Sequence, residues 1–326
     1  MEEKLLEVKD LVVQFRTKTG VLTAVDHVSF DVGRQEVLGL VGESGCGKSV
    51  TSMSILRLNP KDTTRIPEGE IRFNGTDLLQ LTDRQLRDYR GAKISMIFQD
   101  SLTGLDPVKP IGKLLVEAIR VHQKISKKEA WEKGRAILES VGIPEAERRM
   151  HEYAHQLSGG MRQRVMIAMA LLHDSSLIIA DEPTTALDVT IQSQILELLR
   201  KKQVEAHASI ILITHDMGVV AENTDRVAVM YAGQIVETAP TAEIFANPQH
   251  PYTVGLLASI PRLNQKDDVE LYTIQGTVPP LGARPAGCKF CNRCTFATET
   301  CVKEEPPLTE HGSHAVRCWK FTPAGC

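Results

Sequence analysis

The octapeptide GESGCGKS, residues 42–49, has the residue types and spacing of a loop that cradles phosphate. It follows the apolar run EVLGLV and precedes the helical pattern KSVTSMSILRL, which is the strand–loop–helix context that such a loop requires. The glycines let successive backbone N–H groups converge on an anion, and the helix N-terminus adds partial positive charge. The sequence therefore predicts a phosphate site formed by Gly42, Ser44, Gly45, Cys46, Gly47, Lys48 and Ser49.

Three side chains of this loop raise separate expectations. We expect Lys48 to contact the β- and γ-phosphates of a nucleotide and Ser49 to ligate Mg²⁺. Cys46 is interpreted as a small residue in a loop whose backbone does the binding. In the alternative interpretation, the helix N-terminus lowers the pKa of Cys46 and makes its thiol alkylatable when nucleotide is absent.

An acidic pair ends the apolar run LIIADEP, which we predict to be a buried strand. In phosphate-loop enzymes an Asp at this point, here Asp181, holds Mg²⁺, and a neighbouring Glu, here Glu182, can polarise the attacking water. Alone this pair is a weak signal, because acidic residues also cap helices. Together with the phosphate loop it predicts ATP or GTP hydrolysis.

A second chemical group is the cysteine segment, residues 286–301 (AGCKFCNRCTFATETC), followed by Cys318. Its spacing, Cys-x2-Cys-x2-Cys-x6-Cys-x16-Cys, is compatible with disulfides, zinc, an iron–sulfur cluster or plain reduced thiols. Disulfides are rare in the cytosol. The single compact run resembles the start of a ferredoxin cluster loop more than the paired knuckles of a zinc ribbon.

The whole chain must position these groups. It has 326 residues, 42% hydrophobic composition and a net charge of −3 with both signs interspersed, which gives no basic surface for nucleic acid. The N-terminus MEEKLLEVKD lacks the apolar core of a signal peptide, and no run of 18 apolar residues occurs. We therefore expect a cytosolic protein without a membrane-spanning helix.

Strand and helix patterns alternate from residue 5 to about residue 240, which predicts an α/β fold with a sheet covered by helices. Residues from about 100 to 157 have helical spacing and few strand signals, so we predict a helical subdomain there. The Pro- and Gly-rich stretch TVPPLGARPAG leads into the cysteine segment. We predict a first domain over residues 1–250 and a small cysteine-rich C-terminal appendage over residues 251–326.

The string LSGGMRQRV, residues 157–165, resembles the signature motif of the ATP-binding-cassette family, and the match extends over most of the first 260 residues. Ser158, Gly159 and Gly160 come at the start of a predicted helix, where their hydroxyl and N–H groups can form a second anion site. The resemblance implies that this site binds the γ-phosphate of ATP held by the opposite subunit, so a dimer is required. An ordinary serine-capped helix is the alternative.

Other positions match the family in its order. Gln99 in MIFQD resembles the glutamine that senses nucleotide and Mg²⁺, and Asp188 in ALD resembles the aspartate at the dimer seam. His215 in ILITHD resembles the switch histidine at the γ-phosphate, and Glu182 the general base. Phe15 is near the position of the aromatic residue that stacks on adenine, with a strand residue packed in the core as the alternative.

The segments DSLTGLDPV (100–108) and HPYTVGLLASIP (250–261) are similar to the peptide-importer branch. The resemblance implies an ATPase that powers uptake of dipeptides or oligopeptides from the cytoplasmic face of the membrane, as a peripheral protein. It implies two membrane-spanning permease subunits, a second ATPase subunit that is identical or different, and an extracytoplasmic peptide-binding protein. Importers of nickel or other small solutes are the alternative, and a soluble cassette ATPase acting on nucleic acid or ribosomes is disfavoured.

The cysteine segment also resembles the tail of peptide-importer ATPases, in which four cysteines can hold a [4Fe–4S] cluster. Matched residue by residue, the implied ligands are Cys288, Cys294, Cys301 and Cys318. Cys291 is an additional thiol that could replace Cys288 or Cys318. Zn²⁺ is the alternative metal.

Overall fold

The computed structural model describes residues 3–18, 20–99, 104–184, 188–260 and 272–322. Its strands are β1 (Lys4–Thr17), β2 (Gly20–Gly33), β3 (Val37–Val41), β4 (Thr64–Phe73), β5 (Thr76–Asp77), β6 (Ile94–Ile97), β7 (Leu177–Asp181), β8 (Ser209–Thr214), β9 (Arg226–Tyr231), β10 (Gln234–Pro240), β11 (Thr309–His311) and β12 (His314–Val316). Its α-helices are α1 (Lys48–Ile55), α2 (Asp83–Leu86), α3 (Ile111–His122), α4 (Lys127–Ser140), α5 (Ala146–Met150), α6 (Gly159–Ala170), α7 (Val189–Ala206), α8 (Met217–Asn223), α9 (Thr241–Ala246), α10 (Pro251–Ala258) and α11 (Glu299–Lys303).

The chain divides into two compact units. The first unit combines Met1–Leu79 with Leu212–Cys326, and the second unit is Gln80–Ile211. Strand β8 carries the chain from the second unit back into the first. Among the described residues, no helix combines the length and the apolar character that crossing a membrane requires.

The first unit contains an antiparallel sheet in the order β2-β1-β4-β5. The two long strands β1 and β2 pair through register shifts, so their faces are irregular. Phe15 lies opposite Leu22 on β2 and Thr64 on β4. Leu6, Val8 and other apolar residues of β1 are buried, as alternation of polar and apolar residues predicts for a half-covered sheet.

A second sheet of the first unit runs in the order β11-β12-β10-β9-β3. Its strand β3 pairs in parallel with β9, and all five residues of β3 are buried. This agrees with the short continuous apolar run in the sequence, which is typical of a strand covered on both faces. Because β3 ends at Val41, it delivers the chain directly to the phosphate loop.

The cysteine segment belongs to the same unit as that loop. Strand β12 pairs with β10, and Phe290 packs in one hydrophobic core with Val41 of β3. Cys288 and Cys294 lie against this core. The domain limit at residue 250 stays a prediction, and residues 261–271 of the predicted appendage lie outside the described residues.

The second unit pairs β6 with β7 in parallel, and its helices α3, α4 and α5 pack on one another. Gly112 and Gly134 allow this packing. A Cβ on Gly112 would meet the Trp131 ring at 2.6 Å, and one on Gly134 would meet Leu115 at 3.2 Å. These helices fall within the predicted helical subdomain, whose first residues, 100–103, lie outside the described part of the chain.

Candidate active site

The phosphate loop connects β3 to α1 through three glycines with positive φ. Gly42 has φ 152°, Gly45 78° and Gly47 109°. A Cβ on Gly42 would lie 2.2 Å from the backbone oxygen of Met230, so no other residue fits without moving β9. Gly47 is the N-cap of α1 and provides no side-chain cap, so the first N–H groups of α1 are presented to an anion.

Lys48 folds back over its own loop. Its Nζ donates to the backbone oxygens of Gly42 at 2.7 Å and Glu43 at 3.0 Å, and the residue is only 5% exposed. The ammonium is therefore fixed at the rim of the cradle, where it adds a full positive charge to the partial charge of the helix end. This arrangement fits the phosphates of a nucleotide; the binding roles of Lys48 and Ser49 stay predictions.

The interpretation of Cys46 as a reactive thiol is wrong. Cys46 is completely buried, and burial raises the pKa of its thiol although the charge of Lys48 opposes this effect. Its backbone oxygen accepts a hydrogen bond from the N–H of Gly233 at 2.7 Å. Cys46 is therefore a small structural residue, because desolvation outweighs the influence of the helix N-terminus.

His215 follows β8 in the first unit and shares a cavity of about 300 Å³ with the start of the phosphate loop. The next residue, Asp216, caps α8 by accepting from the N–H groups of Gly218 and Val219, which fixes the backbone beside the histidine. The lining residues of the cavity are Gly42, Glu43, His215, Met217, Leu256, Ser259, Thr273 and Ile274. The switch role of His215 stays a prediction.

Phe15 also lies in the first unit and is only partly buried. Its position on β1, near the end of that strand, leaves part of the ring open to solvent. Both the contact with adenine and the alternative of a packed strand residue stay open.

In the second unit, Asp181 ends β7 and is buried, and Glu182 follows it with φ 46°. A left-handed conformation at a residue other than glycine costs about 1 kcal/mol or more and is concentrated at functional sites. Gln99 Nε2 donates to Glu182 Oε2 at 3.0 Å. The structure thus brings together two of the three residues predicted to be catalytic, although the sequence separates them by 83 positions.

The signature segment opens α6 in the second unit. Ser158 Oγ accepts from the N–H of Met161 at 3.3 Å and caps this helix, which is the structural role considered as the alternative. Gly159 and Gly160 are at most partly buried at the helix start. Asp188 caps α7 in the same way by accepting from Ile191 N–H at 2.9 Å. The contacts of these four residues with nucleotide stay predictions.

Gln163, within the signature string, is a further residue of the site that the sequence motifs do not single out. Gln163 is buried, and its Nε2 donates to the backbone oxygen of Pro183 at 2.9 Å. It thereby ties α6 to the segment that follows Glu182. A glutamine inside the otherwise apolar inward face of α6 is the signal that could have identified it.

The cysteine segment has no disulfide among the described residues. The N–H of Cys288 donates to the backbone oxygen of Cys301 at 2.8 Å, which closes the segment into a loop. Gly287 permits this contact, since a Cβ there would lie 2.4 Å from the same oxygen. Thr298 Oγ1 lies 3.4 Å from the Cys301 sulfur.

Burial raises the pKa of Cys288 to about 12, and the negative charges of Cys301, Cys318 and Cys291 add to this effect. Cys294 and Cys318 also have raised pKa values, again first through burial. Among the described residues, no three cysteine sulfurs lie within 4.8 Å of one another. A metal held by these cysteines therefore stays a prediction.

Burial distinguishes the thiols from one another. Cys291 is buried, and its Sγ lies 3.5 Å from Asn292 Oδ1. Cys288, Cys294, Cys301 and Cys318 are partly buried. These four partly buried cysteines are the predicted ligand set, and their ligand roles stay predictions.

Known proteins match the chain over nearly its whole length. The ABC transporter family profile matches residues 25–185, and that of the oligopeptide/dipeptide transporter C-terminal region matches residues 236–301. The dipeptide transport ATP-binding protein DppD of Bacillus subtilis is 51% identical over 97% of this chain and 95% of its own length. The oligopeptide transport ATP-binding protein OppD of the same organism is 50% identical over 98% of this chain and 90% of its own.

Among solved structures, the dimeric ATP-binding cassette MJ0796 bound to ADP and Pi superimposes with a TM-score of 0.66 at 26% identity. The match covers 98% of that cassette but 72% of this chain, so this chain carries additional residues.

A phosphate loop between a buried strand and a helix, an acidic strand end and a signature helix together define an ATP-binding-cassette ATPase. The chain belongs to the oligopeptide/dipeptide transporter branch of this family and is its ATP-hydrolysing, nucleotide-binding subunit. The alternatives of a nickel importer and of a soluble ATPase acting on nucleic acid or ribosomes are not favoured by these relatives.

Proposed function

We propose that this chain hydrolyses ATP to drive the uptake of dipeptides or oligopeptides through a membrane complex. The observation that carries the proposal is the near full-length similarity, at about half identical residues, to two subunits named for dipeptide and oligopeptide transport. Both the cassette and the C-terminal region of the transporter branch are present in one chain. Cargo selection itself would belong to other subunits.

In the first unit, Lys48 holds the β- and γ-phosphates, Ser49 ligates Mg²⁺, and His215 contacts the γ-phosphate. Phe15 stacks on the adenine. The uncapped start of α1 and the cavity shared by His215 and Gly42 support these roles. Mg²⁺, when bound with ATP, neutralises charge on the transferring phosphoryl group.

In the second unit, Asp181 and Gln99 assist Mg²⁺ binding, and Glu182 is the general base. Glu182 takes a proton from water as the water oxygen bonds to the γ-phosphorus and the bond to the ADP oxygen breaks. The hydrogen bond from Gln99 to Glu182 supports this role, because it fixes the carboxylate and connects the nucleotide-sensing glutamine directly to the general base.

The complete site requires a second ATPase subunit, either a copy of this chain or a different one. Ser158, Gly159 and Gly160 bind the γ-phosphate of the ATP held by that subunit, and Asp188 lies at the seam between the two. The dimeric, ADP- and Pi-bound cassette that resembles this chain supports the arrangement.

The partners that follow from peptide uptake are two membrane-spanning permease subunits and, indirectly, an extracytoplasmic peptide-binding protein. We infer that the chain lies at the cytoplasmic face of the membrane as a peripheral subunit. The helical subdomain next to Gln99 is then the surface that couples nucleotide state to the permeases.

For the C-terminal appendage we propose a [4Fe–4S] cluster with a structural role, held by Cys288, Cys294, Cys301 and Cys318. The partial exposure shared by these four residues, in contrast to the buried Cys291, supports the choice, with Cys291 as the alternate ligand. Zn²⁺ remains the alternative metal. Four thiolate sulfurs on one zinc would lie about 4 Å from one another. Among the described residues, the one group of three or more metal-ligating atoms within 4.8 Å is formed by Asp10, His27 and Glu68, so the cysteines are not arranged as a zinc site.

A variant of the general base tests the proposed function. In cells lacking the native chain, Glu182→Gln should abolish uptake of labelled dipeptides, and turnover of the purified complex should fall by roughly 10²–10⁴-fold. ATP binding should persist, because the substitution keeps the shape of the side chain. Glu205→Gln, on the exposed face of α7, is the matched control.

Three outcomes would contradict parts of the proposal. Normal ATP turnover by Glu182→Gln would exclude Glu182 as the base. Unchanged peptide uptake in cells without the chain would exclude peptides as its cargo. Loss of ATP binding together with turnover would mean that the carboxylate holds the site together rather than activating water.

A further inference from the structure

Arg293, in the middle of the cysteine segment, forms a bidentate ion pair with Glu43, the second residue of the phosphate loop. Its Nη1 donates to Glu43 Oε2, and its Nη2 donates to Glu43 Oε1 at 2.9 Å. The Arg293 side chain is 5% exposed. The Glu43 side chain is 32% exposed, so the pair is partly buried, and its bidentate geometry makes it stronger and more directional than an ordinary surface ion pair.

The remaining donors of Arg293 are bound as well. Its Nε donates to the backbone oxygen of Gln275 at 2.9 Å, and longer contacts reach Ile274 O and Tyr231 Oη, both at 3.4 Å. The backbone of Arg293 belongs to a short 3-10 turn, Cys291–Arg293, in which its N–H donates to Phe290 O. The fold of the cysteine segment therefore determines where the guanidinium lies.

The backbone of Glu43 is held from the same side. Its N–H donates to Tyr252 Oη at 2.8 Å, and Tyr252 is buried on α10. The Tyr252 ring packs at 4.6 Å from Tyr231 and 5.5 Å from Phe290, measured between ring centres. One residue of the phosphate loop is thus fixed at both its backbone and its side chain by residues that follow the cassette core.

The charge of Glu43 explains why such a contact is useful. Glu43 is a carboxylate inside a loop that must accept the negatively charged phosphates of ATP, and its backbone oxygen already accepts from Lys48 Nζ. An unpaired carboxylate there would repel the nucleotide and could also attract Lys48 away from it. Arg293 neutralises the carboxylate and holds it on the side of the cysteine segment.

We propose that Arg293 is a positioning residue through which the cysteine segment controls the affinity of the phosphate loop for ATP. The role rests on the nucleotide site proposed above and deepens it, because the C-terminal region becomes part of the ATP site without touching the nucleotide. A loss of structure in the cysteine segment releases Glu43 and weakens ATP binding.

The test uses the full chain in its transport complex. With Arg293→Ala, the KM for ATP should rise about tenfold while kcat changes less than about twofold, since a charge near the phosphates is unbalanced and the hydrolytic residues are untouched. Titration with a fluorescent ATP analogue should give the same loss of affinity. The KM for ATP of Arg293→Lys should lie between those of the native chain and of Arg293→Ala, because lysine keeps the charge but not the bidentate geometry.

A rescue experiment separates this role from a merely structural one. Adding Glu43→Gln to Arg293→Ala removes the unbalanced carboxylate, so most of the lost ATP affinity should return. Arg317→Ala is the matched control, because Arg317 is also a partly buried arginine of the tail but pairs with Glu305. This control should leave the KM for ATP within about twofold of the native value.

The outcomes are distinct. An unchanged KM in Arg293→Ala, or a double variant no better than the single one, overturns the proposal. The same rise in KM for Arg317→Ala, not reversed by adding Glu43→Gln, also overturns it, because an effect independent of the Glu43 charge would then be the cause. Lys48→Ala tests the proposed site separately: if it still binds ATP normally, the phosphate loop itself is wrongly assigned.

Discussion

The phosphate loop and the cysteine segment lie in one compact unit, but they carry their chemistry in different parts of the chain. In the loop, the backbone provides the binding groups, because glycines with positive φ and an uncapped helix start present N–H groups to an anion. In the cysteine segment, side-chain sulfur atoms must be gathered from residues 288 to 318 by a fold with little regular structure. The first kind of site is local, whereas the second depends on long-range packing.

This difference determines how each region responds to substitution. A backbone site fails when a side chain fills the space that the backbone needs, and it tolerates changes of side chains that point away. A side-chain site fails when one ligand is removed, and it tolerates changes between the ligands.

The largest effect is expected from Gly42→Ala. The added Cβ would lie 2.2 Å from the backbone oxygen of Met230, in a conformation that favours glycine. The cost is about 2 kcal/mol or more, which corresponds to a roughly 30-fold loss of ATP affinity if the loop moves to relieve the contact. Affinity is measured by titration of the full chain with a fluorescent ATP analogue.

Gly75→Ala is the control for this prediction. Gly75 also has a positive φ, 77°, but it lies in the turn between β4 and β5 and a Cβ there meets nothing within 4 Å. It should lower the free energy of unfolding by about 1 kcal/mol and leave ATP affinity unchanged. Equal losses of affinity in both variants would mean that the loop is sensitive to stability rather than to its own geometry.

An intermediate effect is expected from Cys294→Ser. Removal of a ligand should release iron from the anaerobically purified protein, and the visible absorbance of a cluster should disappear. Because Arg293 is the preceding residue, its ion pair with Glu43 should weaken, and ATP affinity should fall by up to about tenfold. Iron content, labile sulfide and nucleotide titration are measured on the same preparation.

Cys291→Ser is the matched variant, one short turn away. Cys291 is buried, whereas the four predicted ligands are partly exposed, so its loss should leave both iron content and ATP affinity unchanged. If Cys291→Ser loses the iron and Cys294→Ser retains it, the ligand set is wrong. If both variants retain one zinc and are colourless, the assignment of a [4Fe–4S] cluster is wrong.

The difference between a local site and one built by long-range packing also determines which parts of the structure can be predicted from the sequence. The order of GESGCGKS between an apolar run and a helical pattern is enough to place β3, the loop and α1, because each depends on residues that are neighbours in the chain. The capping box formed by Ser126 and Glu129 at the start of α4 is equally local. Sites of this kind can be predicted from the types and spacing of residues that are neighbours in the sequence.

Contacts over long sequence separations cannot be predicted from the local spacing of residues. Arg293 and Glu43 are 250 positions apart, and neither residue belongs to a motif that names the other. The raised pKa of the Cys46 thiol is equally hard to predict from the loop alone, since a helix N-terminus favours a thiolate and only the folded structure reveals complete burial. Burial and pairing are properties of the tertiary fold, so they appear only when β9, β10 and the tail are in place.

The smallest effect on ATP affinity, but a clear one on stability, is expected from His250. This histidine is fully buried at the N-cap of α10, where its Nδ1 accepts from Tyr252 N–H at 3.0 Å. Burial, together with the charge of Arg317, lowers its pKa to about 3. The backbone N–H of His250 donates to Glu237, and its ring lies 5.7 Å from that of Phe290.

The sign of the pH dependence follows from these contacts. Below pH 6.5 the unfolded chain gains a proton at His250 that the folded chain does not, so stability falls as the pH falls from 6.5 towards 3. At pH 5 the loss is about 2 kcal/mol relative to neutral pH. His250→Asn keeps an acceptor at the N-cap but cannot titrate, so urea unfolding of this variant should depend less on pH by about that amount. An unchanged pH dependence would mean that the acid sensitivity resides elsewhere, and that α10 can hold Tyr252 against Glu43 without a neutral His250.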